Sequence, residues 1–356
     1  PVARFSVLQG LWRFYCVRGD LVKGDQLAHQ LLDLATRTSD QQLVAIGHLA
    51  FGTPSMHRGR FAEAIAHMEQ ANAHYDVAQY PRVSAITGTD LRSAALCWWA
   101  LSLWLAGFAD QAAERHFLAQ TRARELTDPF TQSYALALGA WFHQLRRDPQ
   151  PVLEISNELL ELSTKREFSQ WIAAGFCMRG WALAELGRPA EGIADARNGL
   201  AMFRAGGAWL NVPHFMSMLV EALGRADEWD EARRVADEAL AVAARHEDLY
   251  WEPDLHRLKG VACRASGATA EAERCFQQAI DSAKRLAAPI LELRASADLA
   301  RLWNDQGRNV GARALVTACL ERITEGLETP DVLAARELVS QLSATPTDAG
   351  APFGTH

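Results

Sequence analysis

The sequence has no block of clustered Lys and Arg: 36 basic residues stand against 43 acidic ones, a net charge of −7. A phosphate backbone is held by concentrated positive charge, so nucleic acid is excluded as the main partner. No two of the six cysteines (Cys16, Cys97, Cys177, Cys263, Cys275 and Cys319) are closer than twelve positions, which leaves no CxxC pair for zinc or redox work. Most of them lie in apolar runs, where cysteine behaves as a small buried hydrophobe, and a reduced, cytoplasmic setting is expected. HExxH, GxSxG, GxGxxG and GxxxxGK[ST] are all missing, so the common zinc-hydrolase, serine-hydrolase, dinucleotide and P-loop arrangements are not encoded. No metal or cofactor is expected. There is no signal peptide, and the chain opens at Pro1 without an initiator Met; a piece of a longer protein is expected.

Long uncharged runs are also scarce. One, Ser93 to Ala109, reaches 17 residues, the short limit for crossing a bilayer, and it contains Gly107 where a turn is due. A buried helix is the expectation there, with no membrane partner.

What the sequence does have is a repeat. Gly closes one helical pattern and opens the next at Gly19, Gly59, Gly107, Gly187, Gly267 and Gly307, in steps of 40, 48, 80, 80 and 40, and in all but one case a small or polar residue follows it. The first step of 80 divides at Arg147, beside an Asp-Pro, and the second, from Gly187 to Gly267, divides at Asp227. Eight units of 40 residues with one insertion of 8 result. The insertion falls at 76–90, whose Pro, Gly and Thr lack helical periodicity and predict a long loop, either functional or a connector. Five residues after each turn stand Gly24, Ala64, Ala112, Val152, Gly192, Ala232, Ala272 and Ala312; small residues there let paired helices approach closely. Pro189, Pro253 and Pro330 suit first helical turns, whereas Pro54 predicts a kink or a shortened helix.

Gly at the turn and Ala in the second helix resemble the tetratricopeptide repeat, best in Gly187-Arg188-Pro189-Ala190-Glu191-Gly192 and Gly267-Ala268-Thr269-Ala270-Glu271-Ala272. The usual period is about 34, so 40 implies longer helices, as in the sensor domain of the bacterial maltose-regulon activator. A second resemblance covers nearly the whole chain. Phe168 to Gly187, Trp251 to Gly260, Leu291 to Gly307 and Thr324 to Asp331 resemble the C-terminal repeat region of bacterial proteins that join a class III adenylate/guanylate cyclase domain to a signalling ATPase module. The resemblance implies a parent with cyclase and ATPase domains N-terminal to this region, and no activity of either kind within it.

The expected fold is all-α: a right-handed α-solenoid of about eight tetratricopeptide-like helix pairs plus a C-terminal capping helix. One repeat domain is expected over 1–343, with units at about 1–38, 39–76, 91–127, 128–166, 167–206, 207–247, 248–288 and 289–325, a cap at 329–343, and a disordered Pro/Gly/Thr-rich tail at 344–356.

By resemblance to tetratricopeptide repeats, the residue six before each turn faces the concave groove; Arg13, Trp141, Trp181, Glu221 and Arg301 hold such positions. Counting back ten or thirteen adds Gln9, Tyr134, His214, Arg257 and Arg294. Aromatic residues and Arg dominate binding hot spots, and Arg suits a carboxylate or phosphate. Trp141 and Trp181 could equally be packing between units, while Trp98, Trp99 and Trp104 are expected in the core. Arg179, where repeats carry an aliphatic residue, needs a carboxylate such as Glu185 or Glu221, as a structural pair or a ligand clamp.

The functional expectation is a non-catalytic ligand- or protein-binding sensor module of a multidomain signalling protein. Its partners would be a protein or peptide, a small effector, or the parent's own N-terminal domains. The alternative is a structural or oligomerisation scaffold that forms homo-oligomers without a small ligand. An enzyme would need convergent titratable groups such as His214 with Glu221.

Overall fold

The computed structural model describes residues 2–344; the tail expected to be disordered lies outside the described residues from 345 on. Within them the chain is all helix, an α-solenoid of eight antiparallel pairs: α1 (Val2–Val17) with α2 (Leu21–Thr38), α3 (Gln41–His57) with α4 (Phe61–His74), α6 (Leu91–Leu105) with α7 (Ala109–Glu125), α8 (Pro129–Leu145) with α9 (Pro149–Lys165), α10 (Ser169–Glu185) with α11 (Pro189–Gly206), α12 (Val212–Arg225) with α13 (Trp229–His246), α14 (Glu252–Ala265) with α15 (Thr269–Arg285), and α16 (Pro289–Asp305) with α17 (Asn309–Leu320). A further helix, α5 (Tyr80–Thr87), stands between the second and third pairs, and α18 (Pro330–Ala344) follows the last. No helix of the described residues is long and apolar enough to cross a membrane. The uncharged run contributes α6 and its turn, with Trp98 and Trp104 buried.

Each pair is joined by the same local device. One residue takes the left-handed conformation after the first helix, and the next two N–H groups bond back into it. At Gly19 the residue's own N–H reaches Cys16 O at 2.9 Å, and Asp20 N–H reaches Tyr15 O at 2.9 Å. This Schellman pattern satisfies carbonyls that a helix end leaves open. The same two bonds recur at Gly59, Gly107, Arg147, Gly187, Asp227, Gly267 and Gly307. Glycine takes positive φ without strain; Arg147 (φ 65°) and Asp227 (φ 60°) do not. Helix starts use the opposite chemistry. Asp20, Asp40, Asp90 and Asp128 accept from first-turn N–H groups, and prolines occupy first-turn positions of α8, α9, α11, α12, α14 and α16.

The structure corrects two local expectations. Residues 76–90 are not a plain loop: a 3₁₀ turn (Val77–Gln79), capped by Asp76, leads into α5, which ends at Gly88 with φ 73°. Eight residues are too few for periodicity to register, and the segment is held by tertiary bonds. Tyr75 donates its hydroxyl to Asp90, Arg122 pairs with the same carboxylate, and Asp90 N–H donates to Thr131 Oγ1. Pro54 does not shorten its helix, since α3 runs on to His57. Pro54 sits in the last turn, so the helix loses only the bond to Ala50 O, and the next ones still form, as in Arg58 N–H to Pro54 O at 3.0 Å.

The superhelix closes on itself. The C-terminal carbonyls of first helices in early pairs accept from connections five pairs further on. Val17 O receives Trp209 N–H at 2.9 Å, and His57 O receives Leu249 N–H at 2.8 Å and Tyr250 N–H at 3.0 Å. The His57 ring bonds Asp248 at 2.9 Å, with both side chains fully enclosed. Leu145 O receives Arg294 Nη2 at 2.5 Å, and Glu325 caps α7 by accepting from Asp110 N–H and Gln111 N–H. Much of the concave wall is therefore interior.

Two outcomes are expected. Asp227→Gly relieves left-handed strain at an exposed turn and should raise stability by about 0.5–1 kcal/mol in a denaturant titration. Gly180→Ala would put a methyl 2.6 Å from the Gly192 carbonyl of the facing helix; overpacking should lower stability by roughly 1–3 kcal/mol.

Candidate functional site

The first helices of six successive pairs, α1, α3, α6, α8, α10 and α12, line a partly open cavity of about 130 Å³ on the concave side. Arg13, Trp98, Tyr134, Trp141 and Trp171 are in its wall, which α5 completes through Thr87 and the α11–α12 connection through Leu210 and Asn211. The second superhelical turn thus narrows a chamber begun by the first and leaves it partly open.

The wall is aromatic, and its polarity is incompletely satisfied. The indole N–H groups of Trp12, Trp141 and Trp171, Gln9 Oε1 and Asn211 Oδ1 are buried without a hydrogen-bond partner. Trp98 donates its indole N–H to the Tyr134 hydroxyl, which leaves that hydroxyl's own hydrogen free to donate. Arg13 donates to Thr87 O at the end of α5 and makes no ion pair with any described residue. Among the described residues no carboxylate lines the cavity. Burial pulls the Arg13 guanidinium below its ordinary value. Burial also pushes the Tyr134 phenol up, so it stays a neutral hydroxyl. Trp141 joins this chamber to the closed interior: its ring meets Trp98 edge-on at 5.8 Å and His214 at 5.1 Å.

Three of the sequence candidates, Arg13, Tyr134 and Trp141, are brought together here. Gln9, on the same register, joins them. Four others, Glu221, Arg257, Arg294 and Arg301, gather at the C-terminal part of the concave surface with Arg147, and there every guanidinium has a carboxylate. Arg147 pairs with Glu221; Arg257 takes Asp254 at 2.6 Å and Asp298 at 3.0 Å; Arg294 takes Asp331 at 2.7 Å; Arg301 takes Asp298 at 2.8 Å. Burial alone would raise the Asp254 carboxyl, but the Arg257 guanidinium offsets this and holds it below the usual range. This is an internally neutralised network, and removing one member would strand a buried charge.

The remaining candidates stand apart. Arg179 pairs with Asp195 of α11 at 2.6 Å, not with Glu185 or Glu221; Glu185 is taken by Arg225. Asp195 is on the adjacent second helix, a neighbour that the register count did not consider. Trp181 is buried beneath the Arg147 guanidinium, 6.0 Å from its ring. His214 is enclosed, bonded to Tyr250 Oη at 2.8 Å and Gln144 Oε1 at 3.0 Å and stacked on Trp251 at 4.4 Å. Glu221 is engaged by Arg147, so His214 and Glu221 do not converge as an acid–base pair. Burial drives His214 down to about 3, which keeps the ring neutral near pH 7. Among the described residues no cluster of three or more His, Cys, Asp or Glu is placed to hold a metal.

Register counting missed Trp12, Trp171, Thr87 and Asn211. Trp12 and Trp171 are on inner helices at other offsets, where a broader inner-wall stripe would have included them. Thr87 and Asn211 arrive from connections, and no local pattern marks them.

No protein-family model matches the chain. An uncharacterized protein of Rhizobium meliloti (strain 1021) is 27% identical over 226 residues, 63% of this chain, and the match spans 21% of that protein's length. Among solved structures, a Rap protein complexed with competence and sporulation factor superposes with TM-score 0.61 at 10% identity, over 96% of this chain and 98% of that one. NprR in complex with its cognate peptide NprX gives 0.53 at 10% identity, over 83% and 82%. The apo form of RapI gives 0.52 at 13% identity, over 83% and 99%. At such identities the likeness establishes the helical-repeat solenoid fold.

Neutral in the folded state and with an ordinary value near 6.5 when unfolded, His214 favours the native state above pH 6.5 and progressively less as pH falls toward 3. In urea titrations between pH 6.5 and 4, His214→Gln should show a shallower fall in stability than the parent, by about 1.4 kcal/mol per pH unit at most.

Proposed function

We propose that this chain is a non-catalytic ligand-binding sensor module of a larger signalling protein, and that the aromatic chamber on its concave side is where the ligand sits. The observation that carries this is one guanidinium without a carboxylate, beside buried polar side chains left without partners, around a single partly open space. Buried polar groups are ordinarily partnered, and a pocket with a few convergent polar groups in an apolar wall is what small-molecule and anchor-residue sites look like. Two solved structures of this fold, the Rap protein with competence and sporulation factor and NprR with NprX, are complexes; by analogy a peptide, or one residue of a protein partner, is a candidate occupant beside a small effector. The chamber's walls come from both superhelical turns, so occupancy would tighten the closure and could be read by domains elsewhere in the parent. The resemblance to cyclase–ATPase signalling proteins suggests what such domains would be.

A structural scaffold is the second reading. It is favoured by the stripe Val7, Leu11 and Phe14 on α1, exposed by 63%, 43% and 53%. Patches of this kind mark association surfaces. Concentration-dependent mass in sedimentation, lost in Leu11→Lys, would support it.

The test of the first reading is native mass spectrometry of the chain purified from its host, followed by thermal-shift screening with peptides, nucleotides and sugars. A retained or stabilising ligand is expected. Ala174→Leu, which fills the chamber from α10, should abolish the shift while changing the ligand-free stability by no more than about 1–3 kcal/mol. A ligand whose effect survives Ala174→Leu would place binding elsewhere and sink the assignment.

A further inference from the structure

The arginines of the concave side obey one rule with one departure. Arg147, Arg257, Arg294 and Arg301 are each matched to a carboxylate of the chain itself. Arg13, in the aromatic chamber, has only a backbone carbonyl, Thr87 O, and the left-handed Gly88 beside it: a Cβ at Gly88 would lie 3.1 Å from Arg13 Nη1. A guanidinium carries five N–H donors in a planar fork. Fixing it by one of them at a helix C-terminus orients the fork and leaves the rest for another partner.

The remaining polarity of the wall points the same way. Three indole N–H groups and the free hydrogen of Tyr134 are donors; against them stand the amide oxygens of Gln9 and Asn211, and each of those side chains brings an NH₂ of its own. The surplus is of donors. A cationic occupant would meet no counter-charge, and a neutral apolar one would leave Arg13 partly desolvated and alone. An anionic acceptor satisfies the charge and the remaining donors of the Arg13 fork. Size narrows the class: a closed cavity of about 150 Å³ lined by apolar side chains holds one benzene ring, and this one measures about 130 Å³ and is partly open, room for one ring or short alkyl body with the rest of the ligand reaching out.

We propose that the chamber binds a small apolar monocarboxylate, an aromatic ring or short alkyl body bearing one carboxylate that forms a two-pronged bond with Arg13. The proposal rests on the ligand-binding reading of the chamber and specifies its chemistry. The carboxylate can belong to a free acid or to the C-terminal residue of a peptide. In either case the apolar body packs among Trp98, Trp141 and Trp171, and the carboxylate lies toward α1 and the end of α5.

The probes are phenylacetate and its neutral isostere phenylacetamide, titrated into the full chain with tryptophan fluorescence and calorimetry as readouts. Phenylacetate should bind saturably and at least about tenfold more tightly than the amide, because its bond to Arg13 is charge-assisted and the amide's is not. Arg13→Gln should erase that preference and Arg13→Lys should restore part of it. Circular dichroism melting of both variants would show that the fold persists.

Equal affinity for acid and amide, or a preference unchanged in Arg13→Gln, overturns the carboxylate assignment. So does the absence of saturable binding by phenylacetate up to about 10 mM, the limit of a weak site. If those failures coincide with another ligand whose stabilisation Ala174→Leu abolishes, the chamber remains a binding site and only its chemistry has been misjudged. If no ligand of any kind is found, both fail together. Between the two supporting sources, a pentapeptide ending in Phe with a free terminus binding more tightly than phenylacetate, and losing that on amidation, assigns a peptide C-terminus. No gain over phenylacetate assigns a free acid.

Discussion

The structure hinges on carbonyl groups at the ends of inner helices. An α-helix leaves its last carbonyls without internal partners, and in most solenoids those face water. Here Val17 O and His57 O are met by backbone N–H groups from the second superhelical turn, and His57 bonds Asp248 across 191 positions of sequence. Once these bonds exist the concave wall can no longer be an open groove. His214, Tyr250 and Trp251 become core, and the polar atoms among them must find one another: His214 bonds Gln144 and Tyr250, and Trp251 donates to Ser217.

Closure also divides the concave surface by its electrostatics. Toward the C-terminus, α14, α16 and α18 bring Asp254, Asp298 and Asp331 against Arg257, Arg294 and Arg301. Buried ion pairs of this kind add little net stability but are costly to break, so they hold the last pairs in one arrangement. Toward the N-terminus the chain supplies donors and no carboxylate, around a space that its own side chains do not fill. Close packing is the rule in protein interiors, and here the inner helices leave a largely apolar space beside Arg13 that the side chains around it do not fill.

The solved structures that share this architecture do so at 10–13% identity. That makes the shape portable and the site particular. Stacked helix pairs need small residues where they cross and a left-handed turn within each pair, demands that many sequences meet. What an inner wall binds depends on a handful of side chains that stacking does not constrain.

Legibility followed the range of the interactions. The all-helical solenoid could be read because its causes are local: turns at Gly19 and its counterparts recur at steps of 40 residues, and small residues such as Gly192 answer to contacts within one pair. Part of the chamber could be read too, since Gln9, Arg13, Tyr134 and Trp141 share a helical register. Arg179 shows the limit, because its partner Asp195 belongs to a neighbouring helix face that periodicity does not identify. The helix α5 was hidden by its shortness and by its dependence on Asp90, Arg122 and Thr131. Thr87 and Asn211, the meeting of Val17 with Trp209, and the sealing of the concave side were decided by tertiary structure alone. Each unit adds a small rotation to the last, and the sum over five pairs, which no single repeat encodes, determines whether the superhelix stays open or shuts upon a cavity.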